Sequence, residues 1–212
     1  VFVILKNHDQ APGDIRAEQL RAIGELALRY SQDEVRATHD QNLVFPYVRQ
    51  ADLPALYQAL DALDLASSLR GLASDLIACP GLDFCSLANA ESISVARDIH
   101  ESLGPNEAIA GDIAIKISGC MNACGHHHIG NIGILGVDKK GEQWFQLTLG
   151  GRDQAGAQIG QRLGPAVPKD RVGQVVNQIV DTYVREQQGD EAFLDTFDRV
   201  GITPFKEAIY DR

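Results

Sequence analysis

The residue pattern predicts an α/β chain of α+β type in two parts, and three observations carry that expectation. Apolar residues recur at helical spacing in some segments and at alternating spacing in others, with neither pattern confined to one end. Composition shifts near Ser67 to Gly71, and all four cysteines lie beyond that point. At 212 residues the chain sits at the top of the usual range for one domain and leaves room for two small ones. The parts are expected at about 1–70 and 71–212, with no low-complexity tract and no short-period repeat.

The run Val1-Phe2-Val3-Ile4-Leu5 reads as a strand, and Pro12-Gly13-Asp14 as a turn and cap signal. Leu20, Ile23, Leu26, Ala27 and Tyr30 then repeat at helical spacing, which predicts a helix over about 15–30. Glu34 to Thr38 and Leu43 to Val48 are short and rich in β-branched or aromatic residues, as strands are. Asp52-Leu53-Pro54 opens a second helix carrying Leu56, Leu60 and Leu63, since proline suits a first helical turn. Strand, helix, two strands, helix is a ferredoxin-like half unit. The apolar face of its sheet needs a cover, and a second copy of the same unit is a natural one. The opening strand starts at residue one and the sole methionine is Met121, so the expected origin is a piece cut from something longer.

In the second part, a helix over about Asn89 to Leu103 carries Ile93, Ala96, Ile99 and Leu103 on one stripe. Ile113, Ile115 and Ile117 alternate with Ala114 and Lys116, predicting a strand with one buried face that runs into the second cysteine pair. Asn131 to Val137 and Trp144 to Leu149 form a predicted hairpin turning at Asp138-Lys139-Lys140-Gly141. After a glycine-rich connection, Pro168 to Gln187 carries Val172, Val175, Val176, Ile179, Val180 and Tyr183, the clearest amphipathic helix of the chain. Helices around Asp190 to Val200 and Thr203 to Tyr210 finish it.

The chain has 19 Lys and Arg against 29 Asp and Glu, a net charge of −10. That balance argues against a nucleic-acid or anionic-membrane surface, and this chain alone would repel an anionic substrate. The opening apolar run ends at Lys6, far short of the ~20 residues of a membrane span. A soluble, cytoplasmic protein is expected.

The cysteines fall in two pairs of unequal spacing, Cys79-Pro-Gly-Leu-Asp-Phe-Cys85 and Cys120-Met-Asn-Ala-Cys124. Three chemistries use such a set. Disulfides fit secreted proteins, and nothing marks this chain as secreted. Structural zinc pairs follow gaps of two to four residues, which the second pair satisfies and the first does not. An iron-sulfur cube is the third, because unequal loops from two separate elements can reach its separate corners. Gly81, Gly119 and Gly125 flank the thiols, where backbone must pass close to a cluster and can offer N–H donors to its sulfurs.

Ala-Cys-Pro-Gly-x-x-x-Cys followed about 35 residues later by Gly-Cys-x-Asn-x-Cys-Gly resembles the cluster signature of the sirohaem-dependent sulfite and nitrite reductases. The segment Arg36-Ala-Thr-His-Asp-Gln-Asn-Leu-Val-Phe resembles the half unit that precedes it there. The resemblance covers most of the chain and is to the C-terminal half of such an enzyme: a ferredoxin-like half unit, then a mixed-sheet sirohaem and iron-sulfur domain with C-terminal helices. It implies that Cys79, Cys85, Cys120 and Cys124 hold a 4Fe-4S cluster, with Cys124 also bridging to sirohaem iron. It further implies that Thr38, Gln41 and Asn42 line the sirohaem pocket, and that Asn122 either bonds the macrocycle carboxylates or stabilises its own turn.

The activity implied is six-electron reduction of sulfite to sulfide or nitrite to ammonia, with ferredoxin or a flavoprotein as donor. Family members bind the anion with basic residues carried largely by the other half, so no catalytic residue is assigned here. The N-terminal half of the same enzyme is the implied partner, and the isolated piece is expected to be inactive. Two other classes stay open: a 4Fe-4S electron-transfer module without haem, and a zinc-stabilised binding module. His126, His127 and His128 are expected as a polar wall or solvent-exposed residues, because neighbours in an extended segment point to opposite faces. Lys139 and Lys140 are expected on a solvated hairpin, and Asp190, Glu191, Asp195 and Asp198 on a solvated helix surface.

Overall fold

A computed structural model describes residues 1–7, 10–153 and 156–210. It divides into two compact units, Val1–Arg70 and Gly71–Arg212.

The first unit runs β1 (Phe2–Val3), α1 (Ala17–Tyr30), β2 (Arg36–Ala37), β3 (Leu43–Val44) and α2 (Leu53–Asp61), with sheet order β1-β3-β2, antiparallel throughout. The strands are shorter than the apolar runs predicted. Val3, Leu5, Ile23, Ala27, Phe45, Leu56, Leu60 and Leu65 form its core. The α1 stripe departs from expectation at one position. Leu20 is 51% exposed, and the buried neighbour is Gln19. Gln19 Nε2 donates to the Leu63 carbonyl at 2.8 Å, and its Oε1 accepts the Arg16 N–H at 3.0 Å, so one amide both caps α1 and ties it to the end of α2. Buried Lys6 donates through Nζ to the Asp40 carbonyl at 2.6 Å, anchoring the β2–β3 turn.

The second unit comprises β4 (Ile77–Ala78), α3 (Ile93–Ser102), α4 (Asn106–Ala110), β5 (Ile115–Ser118), β6 (Ile132–Lys139), β7 (Glu142–Leu149), β8 (Gln161–Arg162), β9 (Val167–Pro168), α5 (Val172–Glu186), α6 (Phe193–Val200) and α7 (Thr203–Tyr210). Its mixed sheet has the order β4-β5-β6-β7-β8, with β9 also pairing β7; β4, β5 and β6 are parallel, and the remaining pairs are antiparallel. The predicted single buried face of β5 is corrected here. All four of its residues are buried, Lys116 included, because β5 is an interior strand, and interior parallel strands are covered on both faces. Lys116 is accommodated by an ion pair from Nζ to Asp153 at 2.9 Å.

The β6–β7 hairpin turns on Lys140 and Gly141, both at positive φ (59° and 87°), as a tight two-residue connection requires. Lys139 lies with its ammonium 4.0 Å from the Trp144 ring centroid. The predicted α5 stripe is buried in full, from Val172 through Tyr183, each such side chain contributing roughly 1.5–3 kcal/mol relative to exposure. Phe193, Phe197 and Phe205 close the C-terminal core beside Tyr183.

Two of the acidic residues expected on a solvated surface also carry ion pairs there. Arg152 Nη2 spans both oxygens of Asp198 at 2.7 and 2.9 Å. Glu191 accepts from Arg199 Nε at 2.8 Å, Thr196 Oγ1 at 3.1 Å and the Gln188 N–H at 3.1 Å, and these bonds, Arg199 foremost, hold its carboxyl down to about 2. A carboxyl depressed in the fold stabilises it above the unfolded value near 4.5, and loses that contribution as pH falls toward 2. Glu191→Gln is therefore expected to melt below the wild type at pH 7. In thermal melts across pH 7 to 2, the gap should close through the window from about 4.5 downward. A gap unchanged at pH 2 would contradict the assignment.

Candidate metal centre

The two cysteine loops leave the same end of the sheet. Cys79 directly follows β4 and Cys120 follows β5 after Gly119, and these strands pair in parallel with Ala78 opposite Ile117. Ligand groups of α/β sheets characteristically gather where parallel strands end. The loops also bond to one another. The Gly119 N–H donates to Cys79 Sγ at 3.1 Å, and the Gly119 carbonyl accepts from the N–H groups of Asn89 and Ala90 at 2.9 and 3.0 Å. Cys79 and Cys120 are buried, Cys85 is half-buried, Cys124 is exposed, and all four are free thiols.

Each loop is held by its own short bonds. In the first, the Cys85 N–H donates to the Gly81 carbonyl at 2.8 Å, and Asp83 Oδ2 accepts from the N–H groups of Ser92 and Ile93 at 3.1 Å each. The carboxylate thus caps α3 from inside the cysteine loop, and α3 begins at Ile93 rather than near Asn89, whose N–H belongs to Gly119. In the second, the Ala123 N–H returns to the Cys120 carbonyl at 3.2 Å, and the Gly125 N–H donates to the buried Ser118 Oγ at 3.1 Å. Ser92, Ser118 and Asp83 were not singled out in the sequence; the only signal for them is their closeness to the cysteines.

Asn122 is exposed on the second cysteine loop. Thr38, Gln41 and Asn42 belong to the first unit, in the turn joining β2 to β3. There Thr38 Oγ1 accepts the Asn42 N–H at 3.2 Å, buried Asn42 Oδ1 accepts the Leu5 N–H at 2.9 Å, and Gln41 takes a positive φ of 56°. The histidine run is not extended. His127 to Ile129 form a 3-10 turn, which buries His127 and leaves His126 and His128 exposed. Burial, with the charge of the His128 ring tilted against it at 4.0 Å, lowers the His127 pKa to about 4, so it is neutral near pH 7.

Among the described residues no three His, Cys, Asp or Glu side chains converge as one ion needs. A zinc ion holds its sulfurs about 2.3 Å from a single point, whereas each thiolate of a four-iron cluster binds its own iron, so a spread of thiols does not count against a cluster. The donor set fits that group on local grounds. The chain offers four soft thiols on two loops that bond to one another, and the sulfur of Cys79 already accepts a backbone N–H from Gly119, the bond that stabilises a metal-bound thiolate.

Residues 74–212 match the family model described as nitrite and sulphite reductase 4Fe-4S domain. The chain belongs to that reductase family. Residues 10–63 match a second family model, the nitrite/sulfite reductase ferredoxin-like half domain. The chain is 31% identical over 192 residues to a sulfite reductase [ferredoxin] of Mycobacterium tuberculosis, covering 85% of this chain and 35% of the relative. It is 27% identical over 172 residues to a ferredoxin--nitrite reductase of Synechococcus elongatus, covering 79% of this chain and 34% of the relative. The solved structure of Mycobacterium tuberculosis NirA protein superposes with a TM-score of 0.80 at 28% identity, over 97% of this chain and 39% of that one. The chain therefore spans about a third of the length of the relatives it matches. The nitrite and sulphite reductase family carries a 4Fe-4S cluster and sirohaem. Among the described residues no helix is long and apolar enough to cross a membrane.

Proposed function

We propose that this chain is the C-terminal portion of a sulfite or nitrite reductase, with Cys79, Cys85, Cys120 and Cys124 as the cluster ligands and Cys124 as the thiolate shared with sirohaem iron. The observation that carries this is the Gly119 N–H donated to Cys79 Sγ, which joins loops whose thiols lie some 40 residues apart in sequence. Bound there, the cluster and sirohaem would supply electrons and an iron for the anion, in six-electron reduction of sulfite to sulfide or nitrite to ammonia. The residues of this chain hold and tune. Gly119 stabilises charge on the Cys79 thiolate, Asp83 and Ser118 fix the two loops, and exposed Cys124 offers a sulfur outward. Phe84, Leu87 and Met121 are 81, 73 and 81% exposed beside the thiols, apolar surface that suits a macrocycle.

Asn122, exposed beside the second cysteine pair, is assigned to the macrocycle carboxylates. Thr38, Gln41 and Asn42 are assigned to the pocket wall, with Asn42 acting through the turn it stabilises. The net charge of −10 supports placing the anion-binding basic residues in the N-terminal half of the enzyme, the proposed partner. Ferredoxin is the proposed electron donor, on the strength of the names of both relatives.

The test is anaerobic loading of the chain with iron, sulfide and sirohaem. Acid-labile sulfide together with tetrapyrrole absorption bands is the expected result. Zinc without iron or sulfide would overturn the reading, and a cluster without tetrapyrrole bands would reduce it to an electron-transfer module. The loaded chain alone is expected to show no turnover with reduced donor. Sulfide or ammonia production at the rate of a full-length enzyme would overturn the partition between halves.

A further inference from the structure

Ser92 stands closer to the cluster chemistry than its place in the sequence suggests. It is fully buried, at the start of α3, and its Oγ lies 3.6 Å from Cys79 Sγ, the one side-chain partner of this hydroxyl among the described residues. A thiol and a hydroxyl can exchange the roles of donor and acceptor. A metal-bound thiolate carries no proton and can only accept, so in the loaded protein the hydrogen must come from Ser92. Cys79 Sγ then receives two bonds, one from the Gly119 N–H and one from the Ser92 O–H.

The surroundings keep that hydroxyl in place. Asp83 Oδ2 holds the Ser92 and Ile93 N–H groups at 3.1 Å, which locks the backbone from which the side chain projects. A Cβ on Gly81 would lie 2.6 Å from Ser92 Oγ and one on Gly119 would lie 3.0 Å from it, so the absence of side chains at both positions leaves the hydroxyl its route to the sulfur.

We propose that Ser92 is a positioning residue that donates its hydroxyl hydrogen to the Cys79 thiolate and thereby raises the reduction potential of the cluster. The inference rests on Cys79 being a cluster ligand. The physical reason is charge: an added electron increases negative charge on the ligand sulfurs, so a donor stabilises the reduced cluster more than the oxidised one. The backbone donor at Gly119 is fixed by the fold, which makes Ser92 the adjustable one of the pair.

The experiment is an anaerobic redox titration, followed by electron paramagnetic resonance, of cluster-loaded wild type, Ser92→Ala and Ser92→Thr, with iron and acid-labile sulfide measured first. Equal loading is expected in all three. Ser92→Ala should disfavour reduction about tenfold, a fall of about 59 mV for one electron, and Ser92→Thr, which keeps the hydroxyl, should titrate with the wild type. A fully loaded Ser92→Ala protein at the wild-type potential would overturn the proposal, as would a threonine variant that falls as far as alanine. If alanine does not retain the cluster, Ser92→Cys carries the comparison. Its weaker S–H donor should lower the potential, and an unchanged potential would overturn the idea. Cys79→Ala separates the two layers: full loading with an unaltered spectrum there would sink the ligand assignment itself, whereas lost loading beside an inert Ser92→Ala sinks only the role of Ser92.

Discussion

Cys79→Ala is expected to lose both the cluster and some stability of the metal-free fold, whereas Cys124→Ala should lose the cluster alone. Both substitutions remove one of the four proposed thiolate ligands, and anaerobic loading should leave fewer than about one iron per chain in either. The difference lies in burial. Cys124 is exposed, and its sulfur makes no hydrogen bond to another described residue, so alanine there leaves nothing unsatisfied. Cys79 is buried and its sulfur takes the Gly119 N–H at 3.1 Å beside the Ser92 hydroxyl, so alanine leaves buried polar groups without an acceptor. Such groups cost roughly 1–3 kcal/mol, and sulfur being a weak acceptor places this case at the lower end. Urea unfolding of the two metal-free variants decides it. Equal midpoints would mean that the link through Gly119 does not depend on that sulfur.

Gly125→Ala is expected to be more damaging still. A Cβ at this position would sit 1.9 Å from the Ile117 carbonyl oxygen and 2.8 Å from its carbon. The obstacle is backbone, and that same carbonyl accepts the Cys79 N–H at 3.1 Å, so it cannot withdraw without loosening the first cysteine from β5. Overpacking typically costs 1–3 kcal/mol and more where main chain must move, so a loss of about 3 kcal/mol is expected, together with impaired cluster loading. Gly24→Ala is the control. Gly24 lies exposed within α1 with nothing within 4 Å of where a methyl group would stand, so alanine there should stabilise by roughly 0.5–1 kcal/mol. A Gly125→Ala protein that unfolds with the wild type would show that the turn can be rebuilt around a side chain.

What could be read from the sequence was what its signals fix locally. The α5 stripe repeats at helical period over several turns, and the polar run Asp138-Lys139-Lys140-Gly141 between two apolar stretches marks a turn, which the structure tightens to Lys140 and Gly141, so both are legible without any partner. The two-residue β4 did not, because it is defined by pairing with β5, nearly 40 residues later. Lys116 could not be placed inside from alternation alone, since its burial depends on a third strand beyond β5 and on Asp153. In α1 the periodicity favoured Leu20, yet the buried position went to Gln19 because a distant carbonyl, that of Leu63, claims its amide. The cysteines announced themselves by count and spacing. Their supporting groups, Ser92, Ser118 and Asp83, look like any other serine or aspartate until the fold shows which amides and sulfur they meet.

The parallel pairing of β4 with β5 has a consequence for how the protein matures. Loops that leave strands running side by side in one direction cannot meet through a tight turn; the whole intervening stretch, including α3, must first loop back. Closing so long a connection is slow and precedes any reward from the contact it creates. If the four thiols hold a cluster as proposed, bringing β4 beside β5 would have to precede its capture by both loops.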